Sequence, residues 1–127
     1  MVPAAHFIWL GMRAPVEMDQ VHRVALHTFI RHNPSWGVVA WGNESISDLL
    51  DTEQRKSVWK AIGTRLGRVN YARILALLRY PGVVLDYDTL TKAPLDWLLT
   101  EAGNNILVPE ILGKPGAADV WLMCAGQ

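Results

Sequence analysis

Short apolar runs that end in turn-forming residues alternate along this sequence with longer stretches of helical period. Residues 6–10 form the first run, which Gly11 closes, and residues 38–41 and 83–85 form two more. Runs of this length and punctuation are typical of buried strands. Parallel strands need a crossover long enough to hold a helix, so the alternation favours a mostly parallel sheet flanked by helices. The sequence therefore predicts a compact α/β fold.

The stretch after the first strand carries apolar residues at three- and four-residue steps, as the buried face of a helix requires. This helix is predicted to begin near Pro15. It ends at Asn33-Pro34, because the residue before a proline is pushed out of the helical region. Its predicted buried stripe consists of Met18, Val21, Ala25, Thr28 and Phe29.

Two further helices are predicted between the second and third strands. The first begins at a capping pair of Asp51 and Gln54. Its expected core face consists of Val58, Trp59, Ile62 and Leu66. The second covers residues 69–80 and ends before Pro81-Gly82. Its expected buried residues are Ala72, Leu75, Ala76 and Leu78.

The last part of the sequence predicts a short helix at residues 95–99, followed by apolar runs at 106–108 and 120–124. The tryptophans that fall on helix stripes or in an apolar run are interpreted as core residues. They are Trp59, Trp97 and Trp121.

In mostly parallel sheets, ligands bind beyond the carboxyl ends of the strands. Gly11, residues 41–43 and residues 86–88 each follow a predicted strand, so all three lie on one rim. We therefore expect the functional site at this rim, with Asn43 as a candidate contact to the ligand.

Asp86 and Asp88 are the strongest candidates for chemistry on this rim. Side chains two residues apart on an extended chain point the same way, which places the two carboxylates on one face about 6–7 Å apart. Mg²⁺ or Mn²⁺ relieves their repulsion, and such ions complete their shell with water and substrate phosphate. The structural alternative is that either aspartate closes an Asx-turn with Thr89 or Leu90.

The charge balance and cysteine content exclude several classes. Twelve basic and twelve acidic residues give no net field, so nucleic-acid binding is not expected. Cys124 is the only cysteine, which rules out an intrachain disulfide and argues against a cysteine-based zinc site. The amino terminus does not read as a signal peptide, and no apolar stretch approaches the roughly 20 residues of a membrane span. We expect one cytoplasmic domain over residues 1–127.

Three segments resemble the sugar-nucleotide transferases that carry a DXD motif. These are the opening strand HFIWLG at 6–11, NYAR at 70–73 with RYPGVVLDYD at 79–88, and LDWLL at 95–99. The family includes the initiating mannosyltransferases of fungi and the glucosylating domains of large clostridial toxins. The match covers most of the chain, in the family's order.

The resemblance implies a GT-A fold and a metal-dependent glycosyltransferase. It would move a hexose from a UDP- or GDP-sugar to an acceptor hydroxyl with retained anomeric configuration, using Mn²⁺ or Mg²⁺. The implied nucleotide-sugar contacts are Ile8, Trp9, Asn70, Arg73, Asp86 and Asp88. Trp9 would stack on the base and Arg73 would hold the sugar and phosphate end. Asp88 would ligate the metal directly and Asp86 through water. No catalytic base is assigned.

The sequence also departs from the family. Asn70 stands where the family usually has aspartate, Pro81 replaces a glycine, and Val84 replaces an aromatic residue. Family domains continue well beyond this length, so the domain is expected to be shortened on the acceptor side. We expect a homodimer, because the apolar run at 120–124 would otherwise be poorly covered. The alternatives are a binding module that transfers nothing and a metal-dependent phosphohydrolase using the same acidic pair.

Overall fold

The computed structural model describes residues 2–10, 20–86 and 89–103, together with the backbone of two strands at 106–107 and 122–125. The elements are β1 (Ala4–Ile8), α1 (Gln20–His32), β2 (Gly37–Trp41), a 3₁₀ turn (Ser45–Asp48), α2 (Glu53–Ala61), α3 (Arg65–Arg79), β3 (Gly82–Leu85), α4 (Asp96–Ala102), β4 (Ile106–Leu107) and β5 (Leu122–Ala125). This order of strands and helices confirms the predicted α/β class.

The strands form one sheet in the order β2-β1-β3-β5-β4. β1 pairs in parallel with β2 on one side and with β3 on the other. β5 runs antiparallel to β3 and to β4. The parallel sheet is thus confirmed for β1, β2 and β3, while β5 adds antiparallel pairing beside them.

β5 has a neighbouring strand on each side within its own chain. An unpaired edge on this strand is therefore not a reason to expect a homodimer.

The two faces of the sheet carry two apolar clusters, as the alternation of side chains along a strand requires. One face of β1 and β3 contributes Ala5, Phe7, Val83 and Leu85, which pack in one cluster with residues of α1 and α4. The opposite face contributes Ile8 and Val84, which pack with the buried side of α3. The helix α3 therefore lies on the face opposite α1 and α4.

Gly82 allows β1 and β3 to approach closely. Its φ is +155°, and a Cβ atom there would lie 1.9 Å from the carbonyl oxygen of Ala4 and 2.7 Å from the Ala4 nitrogen. Backbone atoms cannot yield to such a contact as a flexible side chain would. The Pro81-Gly82 turn therefore sets the register of the two central strands, in which Ala4 faces Gly82.

A buried polar link joins the sheet to the end of α3. The His6 side chain is fully buried, its Nδ1 accepts a hydrogen bond from Trp41 Nε1 at 3.0 Å, and its Nε2 lies 2.8 Å from the Tyr80 carbonyl. An indole nitrogen can only donate, so Nδ1 is the bare nitrogen and Nε2 carries the proton. Burial lowers the pKa of His6 from 6.5, and the Tyr80 carbonyl opposes that shift. His6 is thus a neutral core residue.

The helices differ from the sequence prediction at their boundaries. Thr52, not Asp51, caps α2 by accepting a hydrogen bond from the backbone N–H of Arg55. Thr64 caps α3, so this helix begins at Arg65, four residues earlier than expected. The helical conformation is interrupted between Ala61 and Arg65. The core face predicted for a single helix, Val58 to Leu66, is therefore divided between α2 and α3.

Several residues predicted to be core are exposed. No residue of α2 is buried, and Val58 is 38% exposed. On α3, Leu66 is 67% and Leu78 is 63% exposed, while Leu77 takes the buried position. The other large exposed residues among those predictions are Val21 and Trp97. Met18 and Trp121 lie outside the described residues.

Within the described part of the chain, every helix is too short or too polar to cross a membrane.

Candidate functional site

The carboxyl ends of the three parallel strands form one rim of the sheet, as predicted. Trp9 and Leu10 follow β1, Gly42 and Asn43 follow β2, and Asp86 follows β3. Trp9 is held in line with β2 by a hydrogen bond from its backbone N–H to the carbonyl of Trp41 at 2.8 Å. The rim is therefore a continuation of the ordered sheet, where ligands of such folds bind.

Three of the predicted site residues meet at the β3 end of this rim. Arg73 donates from Nη2 to Asp86 Oδ1 at 2.5 Å and from Nη1 to Asn70 Oδ1 at 3.4 Å. Asn70 and Arg73 are three residues apart on α3, which places them on one side of the helix. Because α3 covers the β3 face that carries Val84, Asp86 two residues later extends toward the same helix.

The side chains of this group are buried to different extents. The Arg73 side chain is 10% exposed, whereas the Asp86 side chain is 37% exposed. The guanidinium is thus fixed in the interface between helix and strand, and the carboxylate is the part that solvent reaches. A charged pair of this kind presents a carboxylate of defined orientation to a ligand at the rim, because its partner cannot move away.

Asp86 also ends the strand through its backbone. Its carbonyl accepts a hydrogen bond from the Thr89 N–H at 3.1 Å. The side chain of Asp86 accepts a hydrogen bond from Arg73. Asp88, the predicted direct metal ligand, lies outside the described residues.

The described residues contain no group of three histidine, cysteine or acidic side chains placed to hold a metal ion. Asp86 is the one member of the predicted acidic pair that the structure describes, and its carboxylate contacts a guanidinium. A Mg²⁺ or Mn²⁺ ion held by one or two carboxylates takes most of its ligands from water and phosphate. The exposed side of Asp86 suits that type of weakly built site and not an all-protein cage.

Trp9 lies on the other face of the sheet from this trio. Together with Phe7 it belongs to the face covered by α1, and its ring meets His22 of that helix edge to face, with centroids 5.0 Å apart. The ring is half-buried. A ligand that contacts both Trp9 and Asp86 must therefore lie across the strand ends.

The remaining predicted rim residues separate into core and surface. The Ile8 side chain is buried in the α3-side cluster, so the side chain itself is part of the core. Trp41 is buried and donates to His6. Asn43 is exposed and lines a cleft of about 490 Å³ beside the rim.

The sequence reasoning missed the residues that give this cleft its charge, Lys60, Arg65 and Arg68. A signal was available. Between Glu53 and Asp86 the sequence has seven basic residues and no acidic one, although the whole chain is neutral. Composition averaged over the chain hides this asymmetry.

No protein-family model matches this chain, and no curated protein matches it significantly. The relationship to sugar-nucleotide transferases therefore stays a resemblance carried by the segments named above, and function is argued from the geometry of the rim.

Proposed function

We propose that this chain binds a nucleotide-sugar at the rim of its parallel strands and transfers the hexose to an acceptor hydroxyl. The observation that carries the proposal is the fixed contact of Arg73 with Asp86 at the carboxyl end of β3. It supplies a carboxylate, a guanidinium and, through Asn70, an amide within one small area.

These groups match the chemistry of a sugar joined to phosphate. Sugar hydroxyls donate hydrogen bonds to a carboxylate and accept them from guanidinium and amide N–H groups. The buried guanidinium of Arg73 holds the Asp86 carboxylate in the orientation that such contacts need. The resemblance of residues 70–73 and 79–88 to DXD transferases points to the same ligand class.

The reaction joins the anomeric carbon of the hexose to the acceptor oxygen and breaks its bond to the diphosphate. The acceptor hydroxyl loses its proton, and a nucleoside diphosphate leaves. Mn²⁺ or Mg²⁺, when held directly by Asp88 and through water by Asp86, would stabilise the negative charge that grows on the diphosphate. Asp86, held in place by Arg73, would bind and orient the hexose against this leaving group.

The test is to incubate the chain with UDP- and GDP-hexoses, an acceptor panel and Mn²⁺, Mg²⁺ or a chelator, and to measure free nucleotide and glycosylated product. If the chain transfers the hexose, one molecule of nucleoside diphosphate should form for each glycosylated acceptor. The Asp86→Asn variant should form neither product. Glu101→Gln, which removes an exposed carboxylate on α4, is the matched control and should remain active.

Three other outcomes contradict transfer. Binding without nucleotide release would identify a non-transferring module. Release of inorganic phosphate would identify a phosphohydrolase. Equal activity in Asp86→Asn and the parent chain would remove the rim carboxylate from the site altogether.

A further inference from the structure

A cleft beside the rim is lined by residues that are not part of the proposed transferase site. It lies between the end of α2, the first turn of α3 and the strand ends at Leu10 and Asn43, with a volume of about 490 Å³. Its lining residues are Leu10, Asn43, Ile46, Trp59, Lys60, Ile62, Gly63, Thr64, Arg65 and Arg68. We refer to it as the basic cleft.

Among the lining residues that the structure describes, three are cationic and none is acidic. Elsewhere on α2 and α3, Arg55, Lys56, Arg73 and Arg79 each have a carboxylate within ion-pair distance. Across the part of the chain that the structure describes, Lys60, Arg65 and Arg68 form no such pair. Their charges add in one concave space, where low-dielectric walls concentrate the field and a bound anion relieves their mutual repulsion.

Arg68 is held in place before any ligand arrives. Its Nε donates to the carbonyl of Trp59 at 3.2 Å, and its guanidinium lies over the Trp59 ring at 5.2 Å from the centroid. A guanidinium fixed in this way loses little conformational entropy when it binds an oxyanion.

Gly67 packs closely against two residues of the cleft wall. A Cβ atom there would lie 2.8 Å from Ile62 Cγ2 and 2.9 Å from Thr64 Oγ1. Its absence lets the segment between the helices fold against the first turn of α3, where Thr64 accepts a hydrogen bond from the Gly67 N–H. That fold sets Arg65 and Arg68 beside Lys60.

The walls are not charged throughout. Leu10 and Ile46 are buried apolar residues, and Trp59 presents a half-buried ring. The cleft therefore suits an organic molecule that carries a doubly charged group. A phosphate dianion balances more of the charge of the three cations than a single carboxylate does, and its oxygens fit the arginine fork.

We propose that the basic cleft binds a phosphorylated small molecule through its phosphate, and that it does so without a divalent ion. The three cations neutralise the phosphate, and Trp59 with Ile46 contacts the organic part. The cleft is distinct from the Arg73–Asp86 contact. Arg68 and Arg73 are five residues apart on α3, about 7.5 Å along the helix axis.

The first experiment titrates the ¹⁵N-labelled chain with inorganic pyrophosphate in the presence of chelator. We expect saturable shifts of the backbone amides from Gly63 to Arg68 and of the Trp59 indole. Shifts spread equally over Arg55 and Arg79, or shifts that do not saturate, would show that pyrophosphate meets only a diffuse positive surface.

Arg65→Gln and Arg68→Gln should each weaken pyrophosphate binding about tenfold, the usual effect of losing one charge-assisted contact. Arg65 is exposed and forms no hydrogen bond or ion pair within the described residues, so its variant tests the cleft without unfolding it. Lys92→Gln, at an exposed site off the cleft, is the matched control and should bind like the parent chain. Equal weakening in Lys92→Gln would overturn the proposal.

Competition experiments in the presence of chelator show which kind of molecule supplies the phosphate. Displacement of pyrophosphate by UDP identifies a nucleotide phosphate, and displacement by glucose 6-phosphate but not UDP identifies a phosphorylated acceptor. Displacement by neither would contradict an organic ligand. Asp86→Asn should bind pyrophosphate like the parent chain. Phosphate binding in the basic cleft and sugar transfer at the rim can therefore be confirmed or refuted independently of each other.

Discussion

Protonation of His6 should make the stability of this chain fall in mild acid. The imidazole is fully buried, and its Nδ1 accepts from the Trp41 indole at 3.0 Å. An imidazolium would carry a proton on that nitrogen and face the indole N–H with a second donor. Burial lowers the pKa of His6 from 6.5, so the unfolded chain takes up a proton that the folded chain refuses.

The sign and size follow from proton linkage. Above pH 6.5 both states are neutral at His6 and its contribution to stability is complete. As pH falls below 6.5 the unfolded state binds the proton, and stability is lost at up to about 1.4 kcal/mol per pH unit until the folded-state pKa is reached. Between pH 6.5 and 5.5 the loss from this one group is at most about 1 kcal/mol.

Urea unfolding followed by tryptophan fluorescence at a series of pH values measures this loss. His6→Gln cannot titrate, yet its amide can accept from Trp41 or donate to Tyr80, so it is the comparison chain. It should be less stable at pH 7.5, and the difference from the parent should narrow toward pH 5.5, by at most about 1 kcal/mol. A difference that stays constant, or that widens in acid, would refute a neutral His6 in the core.

Three further predictions concern single side chains. Gly82→Ala should destabilise the fold by about 3 kcal/mol or more, because its Cβ would meet the Ala4 backbone at a φ of +155°; urea unfolding checks this against Gly63→Ala, which has open space and should change stability by less than about 0.5 kcal/mol. Asp86→Ala should cost about 1–3 kcal/mol of stability by removing the carboxylate from the buried Arg73, toward the low end because Asp86 is 37% exposed. Asp86→Asn keeps an acceptor and should cost less, and calorimetry should find nucleotide binding impaired in both variants. Trp9→Ala should weaken nucleotide binding by about 1–3 kcal/mol and also lower the melting temperature, since the ring packs against the apolar cluster that contains Phe7 and meets His22 edge to face. Trp97→Ala, at a 60% exposed site, should change neither property, and an equal effect of the two variants would contradict base stacking by Trp9.

The strands were the most predictable part of this fold. Each of β1, β2 and β3 is an apolar run bounded by turn residues, and the boundaries were wrong by at most two residues, at β1. Their parallel pairing followed from the helices between them. The antiparallel insertion of β5 between β3 and β4 could not be predicted, because a short apolar run carries no information about its direction.

The buried faces of the helices were less predictable, because two adjacent apolar residues can both fit the pattern of a buried face. Leu77 and Leu78 are adjacent, and the contact with the sheet, which the sequence does not contain, selects Leu77. The break at Gly63-Thr64 had a recognisable signal, a glycine followed by a capping residue. The apolar pattern continues from Val58 to Leu66, and it led to the prediction of one uninterrupted helix face.

The predicted site divides in a similar way. Asn70, Arg73 and Asp86 come together because a helix and the strand that follows it are close in sequence and pack on each other. The His6–Trp41 hydrogen bond depends on the pairing of two strands 35 residues apart. That pairing brings a polar histidine into the core, and only the register of β1 on β2 reveals it.

The charges of α3 connect the two candidate sites at this rim. The helix has no acidic residue in its first turn, and it carries Arg65 and Arg68 there instead. Cations at the positive end of a helix dipole oppose helix stability, so this arrangement costs free energy in the absence of a ligand. One turn and a half further along, Arg73 is buried against Asp86, and its charge is compensated within the protein. The helix therefore presents a compensated charge to the β3 end of the rim and uncompensated charges to the basic cleft. A bound phosphate would offset the unfavourable charges at the start of α3, so the parent chain should gain thermal stability with pyrophosphate and the Arg65→Gln variant should gain less. If Arg65→Gln is instead stabilised by pyrophosphate as much as the parent chain, Arg65 contributes nothing to the site.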